Sequence, residues 1–217
     1  MNCKQVKALA ERGVMGGKAK KAVSLAALLL LAGCISLGTK APETLIGLTP
    51  ETAAPAGAMG KGGLAEAITV LDPDTDRRLD VRRVPVQVDA STVAYLKDVA
   101  WVERPARQFR ELLAETIRAD GQRLVFEGND IEMGSRLVLS GRLVDMGYNA
   151  SDRSVVVRYD ALLDQGDGRV RSHRFEAVVP DVSTKTRRIA PALNKAANDV
   201  ARQVAEWIGQ EAGTRQP

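Results

Sequence analysis

The sequence has little of the chemistry that enzymes and metalloproteins use. Its 217 residues include one histidine, two cysteines and few aromatic side chains (two Trp, three Tyr, three Phe). His173 has no second histidine with which to form a zinc site of the usual type. We interpret it as a surface or sheet-edge residue rather than a catalytic one. No Gly-x-Ser-x-Gly nucleophile motif occurs either, so the residues argue against a hydrolase.

Two short stretches imitate ligand-binding motifs without completing them. Gly57 to Gly62 resembles a phosphate loop, but Pro55 stands where that motif needs glycine. The Asp-x-Asp-x-Asp stretch that begins at Asp72 supplies the first three ligand positions of a calcium loop. Arg77 and Arg83 then occupy its sixth and twelfth positions, where glycine and glutamate belong. We interpret the first stretch as a flexible loop and the second as an acidic turn.

The N-terminus has the pattern of an export signal. Ala22 to Ala32 is an uncharged, mostly apolar run, and it is too short to span a bilayer. Three lysines precede it (Lys18, Lys20 and Lys21). The run ends in Leu-Ala-Gly33-Cys34, which resembles the lipobox of bacterial lipoproteins. The pattern predicts cleavage between Gly33 and Cys34. The alternative is an ordinary secretory signal with a chance cysteine.

A lipobox implies that Cys34 carries diacylglycerol and an N-acyl lipid and that no other cofactor is needed. Ile35 follows the cysteine instead of the Asp that commonly retains lipoproteins in the inner membrane. We therefore expect an outer-membrane anchor that faces the periplasm. Residues 35–43 form a tether that reaches at most ~30 Å when extended. A start at Met15 would leave a signal of ordinary length.

The basic character of the chain belongs to its signal segment. The formal net charge is +4, but residues 1–33 hold six of the 31 basic side chains and only one of the 27 acidic ones. The remainder has 25 basic and 26 acidic residues, a net charge of −1. Such a domain shows no charge excess toward nucleic acid. It also contains no cysteine after Cys34, so its stability must come from packing.

Periodicity predicts an α+β fold with a mostly antiparallel sheet and two helices packed on one face. Helices are predicted at Pro105–Arg118 and Ala190–Ile208. Strands are predicted in this order along the chain: 44–48, 67–71, 79–88, 99–102, 123–126, 137–144, 155–163 and 170–179. The last three form an antiparallel meander. The predicted organisation is signal peptide 1–33, lipidated tether with edge strand and flexible loop 34–63, domain 64–209 and disordered tail 210–217.

One candidate contact surface stands out before the first helix. Trp101 and Arg104 could form an exposed aromatic–arginine patch of the kind found at protein interfaces. Core packing of Trp101 is the alternative, because a single tryptophan usually buries most of its area.

The chain also resembles the ABC-type transport auxiliary lipoprotein family from about Thr44 to Gly209. The resemblance is carried by several segments together: Thr-Leu-x-x-Leu-Thr-Pro from 44, Leu-Asp-x-x-Arg-Val-Pro-Val from 79, Val-Ala-Tyr-Leu from 93, Ala-Trp-Val-Glu-Arg-Pro from 100, and Asp-Gly-Arg-Val from 167 with Phe-Glu-Ala-Val-Val-Pro from 175. None of these segments is a catalytic motif. Thr44 stands where the family usually has tyrosine.

The resemblance implies a lipoprotein that works beside an ABC ATPase, a permease and a membrane-anchored mammalian-cell-entry protein. Such systems move phospholipid or other hydrophobic cargo between the two membranes. The expected partners are that mammalian-cell-entry protein and outer-membrane lipid, and a single tether is compatible with a homo-oligomeric ring. The expected action is docking or binding, not catalysis. The alternative function is that of an envelope assembly or pilot-type lipoprotein without a lipid-transport role.

Overall fold

A computed structural model describes residues 44–60, 62–121, 123–128 and 137–213. The predicted signal peptide, Gly33, Cys34 and the tether 35–43 lie outside these residues. The two described helices are α1 (Pro105–Ala119) and α2 (Thr186–Gly213). The described strands are β1 (Thr44–Ile46), β2 (Ile68–Val70), β3 (Asp74–Thr75), β4 (Pro85–Gln87), β5 (Val93–Tyr95), β6 (Val99–Trp101), β7 (Val125–Glu127), β8 (Leu137–Asn149), β9 (Ser154–Asp164) and β10 (Val170–Val179).

The predicted antiparallel meander is confirmed, but the prediction of a mostly antiparallel sheet is wrong. β8, β9 and β10 pair antiparallel in chain order. On the other edge of β8, the short strands β2, β3 and β4 pair with it in parallel, and β7 then joins β2 in parallel. β1 and β6 form a separate parallel pair. Five of the eight pairings between described strands are parallel, so the fold is α+β with a mixed, curled sheet.

The 13-residue strand β8 holds the main sheet together because every short strand except β5 and β7 reaches it directly. β5 joins through β4. The sequence predicted that this strand would end at residue 144. It continues to Asn149 through a register shift between Leu143 and Asp145. Such a bulge bends and twists a strand without ending its pairing, and it explains why the simple alternation breaks there.

Helix α1 follows directly from its sequence pattern. Pro105 occupies the first turn, where its missing N–H costs nothing. The buried side chains recur at helical spacing and include Phe109, Leu112 and Leu113. The helix ends at Asp120-Gly121, where Gly121 adopts a φ of 69° and its N–H bonds to the carbonyl of Arg118 at 3.0 Å. This left-handed residue is the usual C-terminal stop.

Helix α2 begins four residues before its predicted start at Ala190 and ends beyond its predicted end. Ile189 is fully buried and draws the preceding turn into the helix, although Pro191 removes one backbone donor from the early helix. At the other end, α2 continues to Gly213 and so includes the first part of the predicted disordered tail. Residues 214–217 are not among the described residues.

Both helices cover the same face of the sheet. Tyr159 of β9 contacts Phe109 of α1 edge-to-face, with ring centroids 5.3 Å apart. On the same face of β9, Val157, Ala161 and Leu163 are buried. An alanine- and valine-lined side of α2 packs against them at close range, and includes Ala196, Ala197, Val200, Ala201 and Val204. The core therefore lies between one sheet face and the helix pair, and the other sheet face stays open.

The predicted strand 79–88 is the least accurate assignment. Leu79 is buried, but it lies in a turn in which its N–H bonds to the carbonyl of Asp76 at 3.1 Å. Only Pro85–Gln87 is a strand. The alternation seen in the sequence reflects single buried residues, Leu79 and Val84, that point inward from a loop.

Candidate functional site

The segment that follows the predicted lipid tether is bonded to α1. The amide of Leu48 donates to Oε1 of Gln108 at 3.0 Å. The same Gln108 side chain donates from Nε2 to the carbonyl of Glu103 at 2.7 Å, and it is only 6% exposed. Farther along, the amide of Ala54 donates to Oε1 of Glu115 at 2.8 Å. An otherwise irregular segment is thereby fixed to one side of the helix.

Helix α2 holds the same segment with two asparagines. Oδ1 of Asn194 accepts the Thr49 amide at 2.7 Å, and Oδ1 of Asn198 accepts the Glu51 amide at 2.8 Å. Nδ2 of Asn198 donates to the carbonyls of Thr49 and Asn194, each at 2.9 Å. Asn198 is 5% exposed, so its amide is committed to these contacts. We call residues 48–54 the clamped segment. It lies across both helices.

The open face of the sheet curves into a groove of about 640 Å³. Its shape depends on Gly141 in β8, which adopts a φ of +147°. A Cβ at this position would lie 2.1 Å from the carbonyl oxygen of Asp160 on β9. Only glycine permits the two strands to approach so closely here. The groove is lined mainly by polar and charged side chains, which include Asp72, Ser140, Arg142, Asp160 and Arg174, and Leu162 adds an apolar one.

Charges alternate across the three long strands on this open face. The cross-strand register sets Arg142, Asp160 and Arg174 in one row from β8 to β10. The next row contains Asp145, Arg158 and Glu176, with the signs reversed. We call these two rows the charge ladder. Opposite charges on facing positions of neighbouring strands stabilise a sheet.

Between β9 and β10, the ladder forms two close ion pairs. Arg174 donates two hydrogen bonds to the Asp160 carboxylate, from Nε to Oδ1 at 2.5 Å and from Nη2 to Oδ2 at 2.6 Å. Arg158 pairs with Glu176. Asp145 is also reached by Arg78 from the loop after β3, with Nη1 3.3 Å from Oδ1. Hydrogen bonds from Arg174 lower the pKa of the Asp160 carboxyl.

The two ladder carboxylates differ in their surroundings. Burial raises the pKa of Asp145, and the nearby Arg78 and Arg158 only partly oppose that effect. Asp160 is more exposed, and its pKa is lowered instead. On the core side, burial raises the pKa of Tyr159, whose hydroxyl donates to the carbonyl of Ser140 at 2.8 Å. These shifts accompany structural ion pairs and packing.

The structure separates the two residues of the predicted aromatic–arginine patch. Trp101 is 1% exposed and belongs to the core, which was the alternative. Arg104 is exposed and pairs with Asp80 at 3.5 Å. An exposed aromatic–arginine patch is therefore absent at this position, and a role of Arg104 alone at an interface stays a prediction.

His173 lies on the exposed part of β10 and contacts other rings. Its centroid is 4.4 Å from that of Phe175 and 6.0 Å from that of Trp207 on α2. The acidic turn is paired with arginines, since Asp72 binds Arg110 at 2.9 Å. Within the ranges that the structure describes, no group of three His, Cys, Asp or Glu side chains is placed to hold a metal ion.

The most specific local features were not predicted from sequence. Nothing marked Asn198 or Gln108 as the residues that bond the clamped segment. The charge ladder did leave a signal, because Arg158 and Asp160 share one face of a predicted strand, as do Arg174 and Glu176. Their pairing required the register between the strands, which the sequence does not give.

These features define a class of protein: a small α+β domain with its N-terminal segment fixed across two helices and one sheet face open. No helix in the described ranges is long and apolar enough to cross a membrane. The family model of the ABC-type transport auxiliary lipoprotein component matches residues 48–205, from the start of the clamped segment to near the end of α2. The chain belongs to this family, as the sequence motifs predicted.

Solved structures support the fold assignment. Protein XCC0632 from Xanthomonas campestris, assigned to the family model DUF330, is similar with a TM-score of 0.65 and 17% identity, over 79% of this chain and 99% of that one. A crystal structure of an uncharacterised protein is similar with a TM-score of 0.57 and 14% identity, over 66% and 92% of the chains. A PelC dodecamer from Paraburkholderia phytofirmans has a TM-score of only 0.40 and 16% identity, over 71% of this chain and 94% of that one. This similarity is too low to support an inference about the present chain. No curated protein matches the sequence.

Proposed function

We propose that the chain is the lipid-anchored docking subunit of an ABC-type transport system that moves phospholipid or other hydrophobic cargo between the inner and outer membranes. The family match over residues 48–205 is the observation that carries this proposal. The proposed partner is a membrane-anchored mammalian-cell-entry protein. The subunit acts by binding and not by catalysis.

The clamped segment supports the docking role. Lipid on Cys34 holds the protein at the outer membrane, and residues 35–43 provide a short connection. Four backbone amides of the clamped segment are bonded to α1 and α2, namely those of Leu48, Thr49, Glu51 and Ala54. The helix side of the domain is thereby partly covered by the clamped segment. The open sheet face, with its groove, is left available to a periplasmic partner.

Site-specific photo-crosslinking in intact membranes tests the proposal. A photoreactive residue replaces Leu162, which is 42% exposed in the groove. A matched control replaces Arg187, an exposed residue near the start of α2. We expect the groove position to capture the mammalian-cell-entry protein and the control position to capture much less of it. Capture of a secretin or pilus component instead would support the assembly or pilot alternative and reject this function.

The anchor itself has a separate test. Cys34→Ser in the full-length chain removes the thiol that accepts diacylglycerol. We expect the variant to leave the membrane fraction on cell fractionation, whereas Ser36→Ala, two residues away, stays with it. A membrane-bound Cys34→Ser protein would show that the lipid is not the anchor.

A further inference from the structure

Strand β10 presents an open edge. Within the described part of the chain, β9 is the only strand that pairs with β10. β10 has ten residues, and seven of them are exposed. An edge of this length presents a row of backbone N–H and C=O groups that can pair with another strand. Natural sheets usually shorten, cover, distort or charge such an edge. β10 is long and uncovered by another described strand, and it carries charges of both signs that a second strand can match.

We propose that β10 pairs antiparallel with β10 of a second copy of this chain, about a two-fold axis at Phe175. A symmetric antiparallel pair needs one register, and the charges on the strand select it. With Phe175 opposite itself, Arg174 of each copy faces Glu176 of the other. The nearest symmetric registers, shifted by two residues, set Arg174 opposite Arg174 or Glu176 opposite Glu176. Like charges on facing positions destabilise a strand pair.

The proposed register also extends the charge ladder. Within one copy, the first row runs Arg142, Asp160, Arg174, with alternating signs. The second copy then adds Glu176, Arg158 and Asp145 to the same row, in that order. Six charges alternate without interruption across six strands, and the second row does the same in reverse. The ladder therefore continues across the interface with every facing pair opposite in sign.

The helix side of the edge carries aromatic side chains near the same axis, of which His173 is exposed, Trp207 is half-buried and Phe175 is only 5% exposed. Phe175, His173 and Trp207 form a cluster, with the Phe175 and Trp207 centroids 5.6 Å apart. In the proposed register, Phe175 lies opposite its own copy and His173 opposite Ala177. Aromatic side chains are enriched at protein interfaces. The chain has few aromatic residues, and one of its two tryptophans lies at this edge.

Charge reversal in two differently tagged full-length copies tests the pairing. Arg174→Glu places two glutamates on the edge, and Glu176→Arg places two arginines there. Each variant should pair with itself about tenfold more weakly than wild type does, since two facing pairs change from attraction to repulsion. A mixture of the two variants should recover most of the association. Co-expression, detergent extraction and capture of one tag report the amount of the other.

Recovery in the mixture cannot come from folding alone. Arg174→Glu faces Asp160 and Glu176→Arg faces Arg158 inside each copy, and these mismatches persist when the variants are mixed. Circular dichroism checks that each variant is folded. Arg77→Glu is the matched control, because this exposed arginine lies after β3, beyond β8 and β9 from the edge. Equal weakening by Arg77→Glu, or no recovery in the mixture, would overturn the proposal.

Cysteine pairs test the register directly. Ser172 and Val178 face each other across the proposed interface. A copy with Ser172→Cys should form a disulfide with a copy that carries Val178→Cys. Facing Cβ atoms lie about 4.5–5.5 Å apart, and a small adjustment of the two strands brings them to the about 3.5–4.5 Å of a disulfide. Ser172→Cys should not link to Arg174→Cys, which lies four positions away from the facing residue. Links of equal yield in both mixtures, or none in either, would contradict the register centred on Phe175.

Discussion

Replacing Asn198 by alanine should release the clamped segment while leaving the domain folded. The side chain makes three hydrogen bonds: it accepts from the Glu51 amide at 2.8 Å and donates to the carbonyls of Thr49 and Asn194 at 2.9 Å. A typical intramolecular hydrogen bond contributes about 1 kcal/mol net. Water can replace part of the loss, because Thr49 and Glu51 are exposed. We expect the segment to lose about 2 kcal/mol of local stability.

Hydrogen exchange of the full-length protein measures this loss residue by residue. A local destabilisation of about 2 kcal/mol corresponds to roughly 30-fold faster exchange of the Glu51 amide. Asn194→Ala is the matched comparison, since it removes the acceptor of the Thr49 amide and leaves that of Glu51 in place. Asn198→Asp keeps the acceptor for Glu51 but brings a carboxylate against two carbonyl oxygens. It should destabilise the segment at least as much as alanine does.

The exchange rate of the Glu51 amide distinguishes the possible outcomes. If Asn198→Ala leaves the Glu51 exchange rate within twofold of wild type, the bonds of Asn198 do not hold the segment. If Asn194→Ala accelerates Glu51 as much as Asn198→Ala does, the two asparagines do not act on separate amides. Lys195→Ala, an exposed change on the same turn of α2, should leave both amide rates unchanged. A general loss of protection with Lys195→Ala would mean that α2 itself has been destabilised.

Three further predictions concern the sheet and core. Gly141→Ala should destabilise the protein by about 3 kcal/mol or more in chemical denaturation, because its Cβ would meet a backbone carbonyl in a strained conformation; a loss under 1 kcal/mol would contradict the close approach. The indole N–H of Trp101 is buried and has no hydrogen-bond partner in the described structure. Trp101→Phe should therefore lower the free energy of unfolding by less than about 1 kcal/mol, because removing this unpaired N–H offsets part of the lost packing. Trp101→Ala should lower it by about 3–5 kcal/mol, because most of the packing is lost. Burial raises the pKa of Asp145 in the folded protein above its value in the unfolded chain. The neutral carboxyl therefore contributes stability at pH values below the unfolded pKa, and this contribution is lost as the pH rises through the folded pKa. The stability of wild type relative to Asp145→Asn should therefore decrease with pH above about 3.8, and a flat difference would refute this assignment.

Sequence patterns predicted the long elements because each carries its own period. The bounds of β10 agree with the prediction, and α1 agrees to within one residue at its end. β3 and β5 were not assigned as strands, because elements of two or three residues are too short to show alternation. Strands as short as β2 and β6 were predicted only because each lies in a run of apolar residues. The sequence also could not show whether β2 and β4 run parallel or antiparallel to their partner strand. Both pair with β8, from a distance of more than 60 residues, and a side-chain pattern is the same for parallel and antiparallel partners.

The residues of the candidate site were harder to predict from the sequence than the fold was, for a related reason. Gln108 and Asn198 look like ordinary polar residues on amphipathic helices, and only the path of residues 48–54 gives them a role. Trp101 was equally compatible with an interface and with the core, since a short strand of alternating burial has two faces. Burial of the second face depends on β1 and on α1, which the local sequence does not describe.

The clamped segment and the β10 edge together determine which parts of two paired copies would share one side of the joined sheet. A two-fold axis perpendicular to the sheet keeps each face on its own side, so both helix pairs would lie on one side of a continuous sheet. The clamped segments are bonded to those helices, so both would lie on that side of the sheet. The joined open faces, with both grooves and the uninterrupted charge ladder, would then form a single continuous surface on the opposite side. The symmetry that sets opposite charges against each other at the β10 edge therefore also keeps the helices and clamped segments of both copies away from that surface.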